Sequence, residues 1–266
     1  MVPSPLESRR WKVRAGHRVD LAGLDPGSTD GAPGGRPETE AAIPPLIAEL
    51  SALQERLWAE ASRSLLVVLQ AMDAGGKDGT IKHVFRGVNP QGTRVTSFKE
   101  PTSVELAHDF LWRVHRATPR AGEIGIFNRS HYEDVLITRV HGLVSESTWK
   151  ARYELINSFE AILAHGGTTV IKLFLHISKD EQGKRFDARM KEPDKRWKFR
   201  PGDLAEREHW DDYQVAYADA LSATSTASAP WYVIPANHKW YRNWAVSCIL
   251  IETLRGIDPH YPRPRV

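Results

Sequence analysis

The sequence predicts an α/β fold with a five-stranded parallel sheet, on three observations. Five short runs rich in β-branched or aromatic residues recur along the chain, mostly apolar on both faces, as buried parallel strands are. Between them lie stretches with helical spacing, and strands alternating with helices are the pattern of a parallel sheet flanked by helices. The first run leads directly into a glycine-rich turn and then a helix, a context that favours anion binding. The chain has 266 residues, 41% hydrophobic and 26% charged, which excludes wholesale disorder and allows one large domain or two small ones.

Residues 1–36 hold Pro3, Pro5, Pro26, Pro33 and the stretch DPGSTDGAPGG, so they are expected to form an arm lying on the surface of a domain that occupies 37–266. From Glu38 to Ser62 the apolar residues Ile43, Leu46, Ile47, Leu50, Leu53, Leu57 and Trp58 recur at three and four, one face of a helix. The strands are expected at LLVVLQ (65–70), TRVTSF (93–98), EIGIFN (123–128), TVIKLFLHI (169–177) and WYVIP (231–235). Helices are expected over Ile81–Val88, Val104–His115, Tyr132–His141, Thr148–His165, Lys179–Met190, Leu204–Ala220 and Trp240–Leu254.

Lys plus Arg number 36 and Asp plus Glu 33, so the net charge of +3 gives no general argument for a nucleic-acid or membrane partner. The longest apolar run, Leu65 to Leu69, is far short of the roughly 20 residues a membrane span needs, and MVPSPLESRRWKVR lacks a secretory apolar core. Cys248, alone of its kind and set in AVSCILIE, is expected as a buried thiol; the whole points to a cytoplasmic protein.

AMDAGGKDGT follows the first strand and opens a helix. Backbone amides there face an anion, glycines let the chain approach it, and Lys77 adds charge. Against the pattern G-x4-G-K-[S/T], Ala71 replaces the first glycine and Asp78 stands where a metal-binding hydroxyl belongs, so a metal would need carboxylates, Asp73 the nearest, or be held through water. The bland alternative is a turn in which Asp78 caps the helix and Lys77 is solvated. After the third strand come Asn128, Arg129, Ser130, His131 and Glu133, at the sheet edge where open α/β folds bind ligands. Arg129 suits a transferring phosphoryl group, and Glu133 or Asp134 suits Mg²⁺. A capping box of Ser130 with Glu133 would explain those two residues alone. Residues 184–200 carry eight Lys or Arg against three Asp or Glu, a local basic surplus of five spanning a helix end and a loop, with Asp203 a candidate cap for the next helix.

QAMDAGGKDGTIKHV, GVNPQGTRVTSFKEPT, GEIGIFNRSHYEDVLITRVHG and KRWKFRPGDLAEREHWDDY resemble, in that order, the polyphosphate kinase type 2 family, from about Pro45 to Ile257. The resemblance implies a P-loop kinase-like three-layer α/β/α fold with a helical lid, at about 184–222 here. It also implies phosphate transfer between inorganic polyphosphate and nucleotides, with Mg²⁺ as cofactor and a homo-oligomer. Asp73 and Lys77 match the loop acid and lysine, Arg129 the arginine after the third strand, and Lys198 and Arg207 basic lid positions, which Arg185 and Arg189 extend. Phosphate and nucleotide contacts are expected from Ala74, Gly75, Gly76, Asp78, Gly79, Thr80, Lys82, Lys99 and Asn128, and metal ligation from Asp73 and Glu133. Where many members have F-D-R-S this chain has Phe127, Asn128, Arg129, Ser130, and Glu133 stands where some have Asn. That form resembles the subgroup that accepts both nucleoside mono- and diphosphates, AMP and ADP first, with guanine nucleotides open. Two other readings stay open: an ATP-dependent nucleotide or small-molecule kinase, and a nucleic-acid-binding module with Trp197 and Phe199 as stacking platforms.

Overall fold

The computed structural model describes residues 8–198 and 202–263, with the side chains of Asp194, Lys195, Lys198, Asp203 and Leu204 outside the described set. Helix α1 (Arg36–Glu60) leads into β1 (Ser64–Gln70), α2 (Lys77–Val84) and β2 (Thr93–Ser97). Two short helices, α3 (Ser103–Leu106) and α4 (Trp112–His115), precede β3 (Ile124–Asn128), and α5 (Ile137–Val140) and α6 (Glu146–His165) precede β4 (Thr168–His176). Then come α7 (Lys179–Lys191), α8 (Gly202–Glu208), α9 (Trp210–Thr224), β5 (Trp231–Pro235) and α10 (Lys239–Ile257). The five strands are all parallel, in the order β2-β3-β1-β4-β5. Neighbours β1 and β3 send their chains to opposite sides of the sheet, so the crevice at their carboxyl ends is where such a sheet binds ligands.

Strand β1 is buried at every position, between helices on both faces. Packed against it are β3 and β4, and α10 and α1 lie together on one face with Leu50, Leu57, Ile249 and Leu254 fully buried. Strand β2 departs from the expectation of a buried strand: Arg94, Val95 and Ser97 are exposed because β2 is the sheet edge, which suits its mixed TRVTS sequence. At the opposite edge the N-terminal segment is tied down. Val13 N donates to Trp231 O at 2.9 Å and Val233 N to Trp11 O at 2.8 Å, which covers β5. Trp11, 5% exposed, meets Tyr241 and Trp244 edge-on.

Four helix expectations change, the plainest being 204–220, which divides at His209 into α8 and α9. The stretch 104–115 is two turns, because Asp109 Oδ1 accepts from Leu111 N at 3.0 Å and diverts the backbone between them. Residues 132–141 begin as a 3₁₀ turn, His131–Val135, in which Ser130 Oγ accepts from Tyr132 N at 3.1 Å. Helix α2 starts four residues before the expected Ile81, because Gly76, at φ 102°, ends the loop and places Lys77 in the first turn.

Candidate active site

The loop between β1 and α2 is shaped by backbone that few side chains tolerate. Ala74 has φ 58° and Gly76 φ 102°. A Cβ on Gly75 would lie 2.4 Å from Ala71 Cβ and 2.7 Å from Met72 O, so only glycine fits. Helical geometry leaves the first amides of α2 without helical partners. Lys77, half-buried beside them, donates from Nζ to Ala71 O at 2.9 Å. Burial first, and Arg129 second, push its ammonium below the ordinary lysine range, opposed by Asp73, Glu133 and Asp78.

β3 delivers the other half of the site. Leu69 is in register with Asn128, and Arg129 N extends that ladder by donating to Leu69 O at 3.1 Å, so the two strand ends finish side by side. Arg129 then turns into the left-handed region, φ 61°, a strained conformation for a residue with a Cβ and one that concentrates at functional sites. Its Nη2 donates to Asp73 Oδ1 at 2.9 Å. Although burial works against the guanidinium's charge, Glu133 and Asp73 outweigh it and hold Arg129 firmly cationic. Asn128 Nδ2 donates to Asp78 Oδ1 at 2.9 Å, joining strand β3 to the first turn of α2.

Neither bland alternative matches this geometry. The N-cap of α2 is Gly76, and Asp78 engages Asn128. Ser130 does cap its turn, but Glu133 Oε1 accepts from Gln70 Nε2 at 3.2 Å, across the crevice, instead of closing a capping box. Asp73 Oδ2 and Glu133 Oε2 accept no hydrogen bond from the described residues. Two carboxylates near one arginine, each with an oxygen to offer, suit Mg²⁺, which takes one or two carboxylates and completes its shell with phosphate oxygens and water.

The chain matches the family model of polyphosphate kinase 2 over residues 36–261. It belongs to the polyphosphate kinase 2 family. Among proteins it is similar to, an AMP/ADP-polyphosphate phosphotransferase of Meiothermus ruber is 56% identical, covering 96% of this chain and 96% of that one. An ADP-polyphosphate phosphotransferase of Rhodopseudomonas palustris is 44% identical over 97% and 93% of the two chains. The crystal structure of polyphosphate kinase 2 from Arthrobacter aurescens TC1 superposes with a TM-score of 0.94 at 46% identity, covering all 100% of this chain and 94% of that one. The family is one of kinases, which fixes the α/β fold and the phosphotransferase class.

Of the residues expected in this polyphosphate kinase 2 site, the loop from Asp73 to Thr80 lies together with Asn128, Arg129 and Glu133. Thr80, however, is buried and donates from Oγ1 to Gly76 O at 3.1 Å, so its hydroxyl stabilises the first turn. Lys82 and Lys99 are exposed, with no hydrogen bond or ion pair to the site's residues among those described, and the Lys99 carbonyl accepts from Arg113 Nη1 at 2.8 Å. Arg185, expected among the basic lid positions that meet polyphosphate, turns its guanidinium to the loop and away from solvent. It is buried, donating from Nη1 to Ala74 O and Gly75 O at 3.0 Å each and from Nη2 to Ala236 O at 2.5 Å, because α7 packs directly behind the loop. Arg207 donates to Lys179 O at 2.6 Å and to Gln182 Oε1 at 3.3 Å, and Gln182 in turn donates to Asp73 O at 3.0 Å. That relay ties α8 to the loop acid. Arg189 lies half-buried with its guanidinium 5.7 Å from the Phe186 ring, and Trp197 is 76% exposed. The side chains of Lys198 and Asp203, and all of Phe199 and Arg200, lie outside the described residues.

Sequence reasoning missed the polar cluster beneath the site. Lys172 Nζ, fully buried on β4, donates to Glu160 Oε2 at 2.5 Å, Tyr132 Oη at 3.0 Å and Thr224 O at 2.7 Å. His131 Nε2 lies 3.2 Å from Glu160 Oε1. Burial pushes His131 below its ordinary pKa despite Glu160, while burial of Glu160 is outweighed by Lys172 and His131, which keep it an anion. The only signal was a lysine in the middle of an apolar strand. The cluster fixes the turn that carries Glu133.

Proposed function

We propose that this chain transfers phosphate from inorganic polyphosphate to AMP and ADP, with Mg²⁺ held by Asp73 and Glu133. The observation that carries the reading is the convergence of Lys77, Arg129, Asp73 and Glu133 at the ends of β1 and β3. Phosphoryl transfer asks little covalent chemistry of a protein; it asks for in-line positioning and neutralisation of spreading negative charge. An oxygen of the acceptor's terminal phosphate attacks the end phosphorus of the chain, the bridging P–O bond breaks, and the shortened polyphosphate leaves with the electron pair. Lys77 and the α2 amides bind non-bridging oxygens, and the Arg129 fork holds the phosphate that faces it. The ion's part is to neutralise phosphate charge. A long polyanion needs a basic path, and exposed Lys184 and Arg196 with Arg189 and Arg207 supply one from α7 to α8. On this reading 1–36 is the arm and 184–222 the lid of one kinase unit, in a nucleotide-rich, cytoplasmic setting. Leu155 and Ile162, exposed on α6, support a homo-oligomer.

The test is the donor. Activity with polyphosphate that falls steeply with added salt and with shorter chains supports a polyanion path; equal use of ATP as donor, indifferent to salt, would make this an ATP-dependent kinase.

A further inference from the structure

We propose that Arg242 is a positioning residue for phosphoryl transfer: a buried guanidinium without a carboxylate partner that lies against the phosphate loop and is completed by the anion bound there. The proposal rests on the reading of the loop as a polyphosphate-binding element.

Arg242 stands in the first turn of α10 and is 2% exposed. Its Nε and Nη2 donate to the neutral Asn243 Oδ1 at 3.2 and 2.8 Å. No carboxylate pairs with it among the described residues. The charge that bears on it is another cation, Arg185; burial first and Arg185 second bring its pKa down to about 9.

The placement is specific. A Cβ on Gly76 would lie 2.1 Å from Arg242 Nη1, and one on Gly79 would lie 3.5 Å from Nη2. Gly76 caps α2 and Gly79 lies in its first turn, so the guanidinium sits against the start of the helix whose amides are free for a ligand. Arg185 Nη1 would lie 3.5 Å from the same Gly76 Cβ. The two arginines differ in what they do. Arg185 is satisfied by loop carbonyls and by Glu181 at 2.7 Å, and holds the loop to the β5–α10 connection. Arg242 reaches no loop carbonyl, so as a structural tie it would be a poor choice.

A buried charge without a counter-charge is costly, and chains keep one where something else completes it. The missing partner is an anion over the first turn of α2. In a weakly screened setting a cation one backbone layer away adds directly to the field of the amides. Glycine is then required twice over at Gly76, for φ 102° and for the approach of Arg242, while a Cβ at Gly79 would make only an ordinary contact.

Calorimetric titration of the whole protein with inorganic tripolyphosphate tests this, using wild type, Arg242→Lys, Arg242→Met and Lys77→Met. We expect Arg242→Met to bind about tenfold more weakly and Arg242→Lys to stay within about threefold of wild type, because charge rather than shape is what acts. The ligand-free Arg242→Met protein should melt no lower than wild type, since an uncompensated buried charge has been removed. Unchanged affinity in Arg242→Met, or equal weakening in both Arg242 variants, would overturn the proposal. Loss of binding in Lys77→Met alone would leave the loop reading standing without Arg242. A folded wild type that does not bind tripolyphosphate would sink the loop reading, and this proposal with it.

Discussion

Asp73→Asn separates catalytic charge from fold. In the structure Asp73 Oδ1 accepts from Arg129 at 2.9 Å, with the two side chains 30% and 40% exposed. An ion pair that open to solvent contributes at most about 1 kcal/mol to stability, so the variant should unfold within about that margin of wild type. Its effect on rate should be far larger. The carboxylate orients the Arg129 fork and, on the proposed reading, would offer its second oxygen to Mg²⁺; Asn keeps the shape while losing the charge for both. Loss of one preorganised electrostatic group costs about 2.7–4 kcal/mol in the transition state, a fall of about 10² to 10³ in kcat. The assay is initial-rate formation of ADP from AMP at saturating polyphosphate over a range of Mg²⁺, with circular dichroism and urea unfolding on the same sample. A higher Mg²⁺ requirement should accompany the lower kcat. Near-normal turnover with an unchanged spectrum and an unchanged Mg²⁺ requirement would refute the assignment of Asp73.

If Glu133 holds Mg²⁺ as proposed, Glu133→Asn should depress phosphorylation of AMP relative to ADP by roughly tenfold in kcat/KM; parallel assays with an unchanged ratio would reduce Glu133 to a structural residue. Lys172→Met leaves Glu160 buried beside His131 without its ammonium and should cost about 3–5 kcal/mol in urea unfolding, while adding Glu160→Gln should recover part of it; a loss under about 1 kcal/mol would contradict the buried pair. Burial raises Asp134 from 3.8 to about 6, opposed by Arg152. The folded protein thus keeps that proton to higher pH than the unfolded chain, and stability from this group is full below about pH 3.8 and lost as pH rises through about 6. Asp134→Asn should accordingly stabilise the protein at pH 7.5, by about 3 kcal/mol, and leave it unchanged near pH 3.5; the same difference at both pH values would contradict the shift.

The sheet was legible because burial on both faces writes itself as unbroken apolar runs, and LLVVLQ, IGIF and TVIKLFL carry that mark whatever surrounds them. Strand β2 was legible as a strand but not as an edge, since strand order depends on contacts far apart in the chain. The loop could be read from its glycines because they meet steric demands that are local. Arg185 and Arg242 could not be: an arginine in a basic stretch looks the same whether it faces solvent or the back of a loop, and only the packing of α7 and α10 decides. Glu133 shows the same limit in reverse. S-x-x-E spells a capping box, and it was Gln70, 63 positions away, that turned the carboxylate across the crevice. The Lys172 cluster had no periodic signature at all.

The most direct measurement of the central claim is phosphorus NMR of AMP, polyphosphate, Mg²⁺ and the protein, followed over time. The account predicts that the β-phosphate resonance of ADP and then the γ-phosphate resonance of ATP appear while terminal phosphates report shortening chains, and that a chelator stops all three. Release of inorganic phosphate with no nucleoside di- or triphosphate, or transfer that needs added ATP and ignores polyphosphate, would contradict it.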